Sequence, residues 1–260
     1  MRGLSVALIV NNEEQNIRDC LESVSWADEI VVVDSHSTDR TIEICRSYTS
    51  RIFIRKWTGY AEQKQFAIDK CRNEYVLNID ADERVREELR DEILELLSSA
   101  ELADGYFIAR RSRFLGKWIR YAGWYPGYQL RLFKRSRARV SCSRVHEGVI
   151  VDGRTEKLRN DLDHFSHPSL FVSLEKLDRY SSLEALDRLN RKKVRWYHFI
   201  FHPLSAFLVK YVRQKGFLDG IHGYLLCWIS AFLKMVLYMK IWHLQRASVE
   251  KIYTIHEAQN

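Results

Sequence analysis

Between Leu4 and Leu97, short apolar runs alternate with amphipathic stretches. Leu4–Val10 (LSVALIV) reads as a strand, and Ile17, Leu21 and Val24 recur at helical spacing within a segment from Glu14 to Ser25. Glu29–Asp34 (EIVVVD) is a continuous β-branched run ending in an acid, the pattern of a strand buried on both faces. Ser37, Thr38 and Asp39 supply capping chemistry for a helix near Arg40–Tyr48. A short strand at Arg51–Arg55, a helix at Tyr60–Cys71, a strand at Tyr75–Ile79 and a helix at Glu87–Leu97 continue the rhythm. Strands alternating with helices predict a parallel sheet covered by helices.

From Gly105 the texture changes. Gly105–Arg111 and Gln129–Lys134 read as strands around a loop rich in Trp, Tyr and Gly from Phe114 to Tyr128. A helix is expected over Leu170–Asn190, and the stretch from Tyr197 to Trp242 is strongly apolar and helical, with breaks at Pro203, Gly216, Gly220 and Gly223. Chemistry-free explanations exist for both apolar regions: the aromatic loop (Trp118, Tyr121, Trp124, Tyr125) suits sugar rings or an ordinary core, and the helical stripe suits a membrane surface or a protein partner.

Composition removes some classes. With 46% hydrophobic and 29% charged residues, and only 11 Gly and 3 Pro, the 260-residue chain is neither disordered nor collagen-like. The five cysteines are far apart and form no CxxC, so reduced thiols in a cytoplasmic protein are expected rather than a disulfide or zinc framework. The first apolar run is too short for a secretory leader. The net charge of +7 is lopsided: residues 1–187 hold 29 Lys and Arg against 31 Asp and Glu, whereas residues 188–260 hold 12 against 3. A basic, aromatic C-terminal segment suits anionic lipid headgroups or nucleic acid.

Asp80-Ala81-Asp82-Glu83 directly follows the strand Tyr75–Ile79. Ligands of open α/β sheets bind at the carboxyl ends of strands, and two carboxylates at i and i+2 can face one hard cation such as Mg²⁺ or Mn²⁺. The plainer alternative is an acidic N-terminus for the next helix. Asp34 ends the second strand, and Asn11-Asn12-Glu13-Glu14 follows the first, so three successive strand ends carry acids or amides. His164 is available as a third metal ligand or as a structural imidazole. Glu147 is a lone acid beyond the basic stretch Arg131–Arg144, open to a role as general base or as an arginine's ion-pair partner.

The segments VALIVNNEEQNIRDCLESVSWADEIVVVDSHSTDRT, GYAEQKQFAIDKC, EYVLNIDADERV, WYPGYQLRLFKR and SRVHEGV together resemble the family 2 inverting glycosyltransferases of the GT-A fold. The resemblance covers about Leu4–Gly153 closely and a C-terminal helical part more loosely. Within the family it is similar to the lipopolysaccharide-core transferases that add β-linked glucose to inner-core heptose. It implies a Rossmann-like mixed α/β sheet flanked by helices, with a catalytic domain over residues 1–168 (nucleotide half about 1–100, acceptor half about 101–168) and a helical region over 169–260.

By the same resemblance, Asp34 holds the nucleotide base, with Asn12 and Glu13 beneath the nucleoside. Lys64 contacts the nucleotide, and Asp80 and Asp82 form the metal and diphosphate motif. Gln129 and Arg131 border the donor pocket, and Glu147 is the catalytic base. The chain departs from many members at Asn11, where they carry an aromatic residue. The implied cofactor is divalent Mg or Mn. The implied partners are a UDP-sugar donor, a glycan or lipid-linked acceptor and an anionic membrane surface, and a homo-oligomer is compatible. The expected location is cytoplasmic and peripheral on the inner face of the membrane. Two other readings stay open from the residues alone. One is a nucleic-acid-binding or modifying protein, though no zinc-finger, RRM or helix-turn-helix signature is present. The other is a sugar nucleotidyltransferase, though no Gly-rich phosphate loop is present.

Overall fold

Leu4, Val6, Leu8 and Val10 point to one apolar cluster and Ala7 to another, so the first strand is buried on both faces. This is β1 (Leu4–Val10) in a computed structural model that describes residues 2–141, 148–167, 169–189 and 193–246. The chain divides into two compact units, Met1–Ser112 with Pro126–Ser166, and Arg113–Tyr125 with His167–Asn260.

In the first unit, β1 is followed by α1 (Ile17–Ser23), β2 (Glu29–Asp34), α2 (Thr41–Arg46), β3 (Ile52–Ile54), α3 (Tyr60–Lys70) and β4 (Tyr75–Asn78). After β4 come β5 (Glu83–Val85), α4 (Glu87–Ser98), β6 (Gly105–Phe114), β7 (Lys117–Trp118), β8 (Gly127–Lys134), β9 (Ala138–Val140), β10 (Val149–Val151) and β11 (Thr155–His167); β7 and the last two residues of β6 fall in the second unit. The sheet order is β3-β2-β1-β4-β8-β6-β11-β5. β3, β2, β1 and β4 run parallel, with Val10 opposite Asp34 and Ala7 opposite Asn78. β8 then joins β4 antiparallel, and β6 joins β8 antiparallel, making the sheet mixed. One face is covered by α1, α2 and α4 through Ile17, Leu21, Ile44, Leu89, Ile93 and Leu97. The other is covered by α3 and the β9–β10 hairpin through Ala67, Ile68, Val140 and Val149.

The parallel half matches the expected alternation of strands and helices. Beyond it the strands β7, β9 and β10 were not expected, and two further elements bear on the site. Glu83–Val85, for which the acidic N-terminus of the following helix was the plainer alternative, is a short strand that pairs antiparallel with β11, setting His164 opposite Glu83. β11 itself was not anticipated: its alternate positions Leu158, Asn160, Leu162, His164 and Ser166 mix apolar and polar residues, which hides the period of two.

The second unit contains α5 (Leu170–Arg188), α6 (His198–Leu208) and α7 (Gly220–Arg246). Pro203 lies inside α6 instead of ending it, and Gly223 lies inside α7. Gly223 is there because of a close approach: a Cβ at that position would sit 1.9 Å from the Gly216 carbonyl oxygen. One cluster joins Phe114, Ile119, Ala122, Leu226 and Cys227; another joins Ala185 of α5 to Leu237 and Ile241 of α7. The cysteines at 20, 45, 71 and 227 are buried free thiols. Burial pushes Cys45 and Cys71 up to about 12, so they stay protonated.

Candidate functional site

The parallel strands end side by side, and their loops converge. After β1, the Asn12 side-chain oxygen accepts from the Thr38 backbone N–H (2.8 Å), and the Asn12 N–H donates to Ser37 Oγ (2.8 Å). Asn12 holds φ 54, a left-handed conformation that asparagine tolerates well. Glu13 donates its N–H to Thr41 Oγ1 (2.7 Å), and its carboxylate accepts from Asn16 (2.9 Å). Asn11, the departure from the family pattern, donates to the Ser35 carbonyl at 2.8 Å. Buried Asp34 accepts from Ser37 through both oxygens, at 2.9 Å from N–H and 2.5 Å from Oγ. These residues lash the β1 and β2 loops together into one rigid rim.

The acids after β4 sit in a denser electrostatic arrangement. Asp80 Oδ1 lies 2.9 Å from Lys64 Nζ of α3, and Oδ2 lies 2.5 Å from Arg131 Nη2 of β8. The same Arg131 nitrogen reaches Glu83 Oε1 at 2.6 Å, and Arg110 stands 3.7 Å from that oxygen. Glu83 is fully buried, and its other oxygen accepts from the Asp80 N–H at 3.0 Å, closing the Asp80–Glu83 turn. Burial works against charge on both Asp80 and Arg131. The Arg131 and Lys64 charges outweigh it at Asp80, holding that carboxyl well below the usual range. The paired carboxylates in turn raise Arg131 above its ordinary value.

Arg131 reaches this point because of a bulge. Leu132 pairs with Tyr106 and Leu130 with Phe107, so Arg131 is the extra residue of β8. A bulge re-aims one side chain without ending the strand. Gln129, two residues earlier, pairs with Ile108 and therefore shares the sheet face of that residue.

Asp82 faces a different partner. Its Oδ2 lies 3.5 Å from His164 Nε2, and the Asp82 carbonyl accepts from the Phe165 N–H at 2.8 Å. The other ring nitrogen of His164, Nδ1, is 3.0 Å from Ser112 Oγ. Of the sequence-expected residues, Lys64, Asp80 and Arg131 thus meet in one ion cluster, and Asp82 and His164 form a pair on the same Asp80–Glu83 turn. Asn12 and Glu13 lie on the loop after β1, and Asp34 is the last residue of β2. Glu147 lies outside the described residues. Glu83 was not singled out as a site residue and entered only through the alternative of an acidic helix terminus, although an acid three residues after Asp80 is placed to accept from its N–H. Ser112 left no signal, because its neighbour His164 lies far along the chain.

Among the described residues, no three His, Cys, Asp or Glu side chains converge as a complete metal cage. Asp82 and His164 offer an oxygen and a nitrogen side by side, whereas both oxygens of Asp80 are held in ion pairs. A hollow of about 1510 Å³ lies in the second unit between α5 and α7, lined by Leu186, Trp196, Phe199, Met239 and Trp242. It contains none of this acidic chemistry.

Residues 5–150 match the family model for glycosyl transferase family 2. The chain belongs to this family. It is 35% identical over 230 residues to the lipopolysaccharide core biosynthesis glycosyltransferase LpsC of Rhizobium meliloti (strain 1021), covering 85% of each chain. It is 29% identical over 263 residues to an uncharacterized glycosyltransferase of Rickettsia typhi, covering 93% of this chain and 87% of that one. In three dimensions it is similar to Staphylococcus aureus TarS (residues 1–349, in complex with UDP-GlcNAc), with a TM-score of 0.50 at 14% identity over 94% of this chain and 91% of that one. The glycosyltransferase is therefore an enzyme of the GT-A fold, and the nucleic-acid and nucleotidyltransferase alternatives fall away.

Proposed function

We propose that this glycosyltransferase moves a sugar, glucose being the first choice, from a nucleotide-diphosphate donor to a hydroxyl of a lipopolysaccharide-core or other cell-envelope glycan, with inversion and with a divalent metal. The observation that carries this reading is the Lys64–Asp80–Arg131–Glu83 ion cluster with the Asp82–His164 pair beside it. LpsC, the relative at 35% identity, is named for lipopolysaccharide core biosynthesis, which supports the acceptor class. The protein is proposed to act in the cytoplasm at the inner face of the membrane, where such acceptors are assembled.

The residues divide the work by charge type. Lys64 of α3 and Arg131 of β8 bring two cationic side chains to Asp80, beyond the end of β4, and are suited to a diphosphate. Asp80 and Glu83 hold them in position and keep them from collapsing onto other acids. Asp82 and His164 fit a hard divalent cation: Ser112 occupies Nδ1, so Nε2 is the nitrogen left facing the Asp82 carboxylate. Such a cation supplies charge neutralisation for the departing nucleoside diphosphate. On this reading Asn12, Glu13 and Asp34 shape the nucleoside end, and Gln129 borders the donor. Glu147 takes the acceptor hydroxyl's proton as its oxygen attacks the anomeric carbon from the face opposite the leaving group.

The test is direct. Purified protein is incubated with UDP-glucose, Mn²⁺ and a heptose-terminated core acceptor, and the product is read by mass and by the anomeric coupling constant. Formation of UDP with a β-linked product is the expected result. An α-linked product removes inversion, full activity in EDTA removes the metal, and turnover of UTP with a sugar phosphate in place of transfer removes the reaction. Glu147→Gln is expected to lower the catalytic constant by roughly 10²–10⁴-fold while donor affinity holds, the range for a lost general base.

A further inference from the structure

The second unit carries an apolar surface out of proportion to its size. On α6 and the turn after it, Ile200, Phe201, Leu204, Leu208 and Val212 are all exposed, at 47–60%. Their spacing, i, i+1, i+4, i+8 and i+12, is that of one helical face. On α7 and the 3₁₀ turn before it, Phe217, Leu218, Ile221, Leu225, Trp228 and Phe232 repeat the pattern, with Ile221 at 63%. The two stripes adjoin. Phe207 of α6 lies 4.9 Å from Trp228 and 6.1 Å from Tyr224, ring centre to ring centre, and Tyr211 lies 6.1 Å from Phe217. Contiguous exposed apolar area of this kind marks a docking surface.

The charge around it identifies what docks. Arg213 and Lys215 are exposed in the turn that joins the two stripes, and Lys193, Arg195 and Arg246 are exposed elsewhere on the unit. Asp219 is the sole acid between residues 189 and 249. It is buried, and its carboxylate accepts from the Tyr121 N–H at 2.8 Å and the Arg120 N–H at 3.3 Å. The surface therefore presents apolar side chains and cations with no exposed carboxylate among the described residues of that stretch. Apolar residues that enter an acyl layer, with basic residues beside them at phosphate level, are the composition of an interfacial element.

The 3₁₀ turn and α7 together pass a length test for crossing a bilayer: Gly216–Arg246 runs 31 residues and contains an 18-residue stretch with a mean hydropathy of 1.5. Its C-terminal half argues against a crossing. Lys240 Nζ lies 2.6 Å from Asp178 Oδ1 and also donates to Ser181 and Ser182, while Lys234 lies 3.4 Å from Glu184. That half is bolted to α5, a helix with Glu175, Asp178, Glu184, Asp187 and Arg188 along it. A crossing would draw these charges into hydrocarbon.

We infer that α6, the Val209–Asp219 turn and the first half of α7 lie in the plane of an anionic phospholipid leaflet, with the Ile200–Val212 and Phe217–Phe232 stripes embedded and Arg213 and Lys215 on lipid phosphates. The inference names the partner for the membrane-side location proposed above and rests on it. It does not depend on which sugar is transferred.

The test is flotation of the full chain with vesicles of phosphatidylglycerol and phosphatidylcholine, with pure phosphatidylcholine alongside. Binding is expected to need phosphatidylglycerol, to reverse in high salt or carbonate, and to shift and quench Trp228 fluorescence when brominated acyl chains are present. Arg213→Glu with Lys215→Glu is expected to weaken binding by roughly 30-fold or more, from about fivefold for each basic residue lost at the surface. Phe217→Glu with Ile221→Glu is expected to abolish the fluorescence shift. Unchanged circular dichroism and an unchanged nucleotide-induced thermal shift establish that these variants remain folded. Three results overturn the inference: retention through carbonate, which makes α7 a span; a dimer by light scattering that the apolar double variant converts to monomer, which makes a second copy the occupant; or indifference of a monomer to anionic vesicles. Transfer to a soluble acceptor fragment is measured separately, so failure of the docking and failure of the glycosyltransfer reading give different results.

Discussion

Arg131 stands between two carboxylates, 2.5 Å from Asp80 and 2.6 Å from Glu83, in a place where its side chain is 7% exposed. Removing one member of a buried ion cluster leaves the others uncompensated, at a typical cost of about 3–5 kcal/mol. Arg131→Met is therefore expected to lower stability by that amount in denaturant titration, with Glu83 as the stranded charge. Arg131→Met combined with Glu83→Met should recover a large part of the loss. Asp80 gives the pH dependence. Its carboxyl titrates below the unfolded value of about 4, so its contribution is complete above that value and is lost as pH falls through the lower folded value. The Tm gap between wild type and Asp80→Asn should be full at neutral pH and close below about pH 4. A gap that widens in acid would contradict the assigned ion pairs. Asp80 stood out in the sequence as a strand-end acid, and Lys64 and Arg131 only through the family resemblance; that the three meet in one ion cluster depends on pairing distant in sequence. Glu83 was readable only as an acid, since nothing in DADE says whether the fourth residue starts a helix or closes a turn. Ser112 was invisible: its contact with His164 Nδ1 spans 52 positions. If Ser112 fixes the ring so that Nε2 faces the metal, Ser112→Ala should weaken Mn²⁺ binding by roughly 10–100-fold. Ser112→Thr should restore it, and saturating metal should recover turnover in the alanine variant. Unchanged Mn²⁺ affinity by electron paramagnetic resonance would leave the serine a packing residue.

At the scale of elements, legibility followed burial pattern. β1, β2 and β4 are largely apolar runs, β2 and β4 ending in a polar residue and β1 followed by Asn11, so both the strand and the polar end announce themselves. β5 and β11 do not, because a three-residue strand is too short to show a period, and β11 places Asn160, His164 and Ser166 among Leu158 and Leu162 on one face. Yet this pair delivers His164 to Asp82, so half of the proposed metal site rests on long-range pairing. In the helical unit the sequence misled differently. Gly223 was expected to break a helix, but it sits within α7 where backbone approaches backbone. An added methyl would lie 1.9 Å from the Gly216 carbonyl, which no rotamer can relieve. Gly223→Ala is expected to cost about 1–3 kcal/mol, the range for overpacking, despite alanine's better helix propensity. A neutral or raised Tm would mean that the 3₁₀ turn at Gly216–Asp219 yields easily.

For the molecule as a whole, charge and chemistry are segregated along the chain: the acidic rim belongs to one compact unit and the basic apolar helices largely to the other. A ligand at the rim should therefore stabilise the first unit selectively. Anything that binds the native state alone adds RT ln(1 + [L]/Kd), about 2.7 kcal/mol at a hundredfold excess over Kd. For a chain of this size each kcal/mol moves Tm by about 2–4 °C, so UDP-sugar with Mn²⁺ should raise a melting transition by about 5–10 °C. The dissection follows from the geometry. Asp82 faces His164 and leaves Lys64 and Arg131 intact, so Asp82→Asn should retain the shift given by nucleotide alone and lose the additional shift given by metal. Wild type in EDTA should match that variant. Lys64→Ala should lose much of the nucleotide shift with or without metal, because it removes the proposed diphosphate partner and loosens Asp80 together. If Asp82→Asn keeps the full metal-dependent shift, the cation is held elsewhere and the Asp82–His164 pair is structural. If no nucleotide diphosphate sugar moves the transition at all, the ion cluster serves the fold and not a donor.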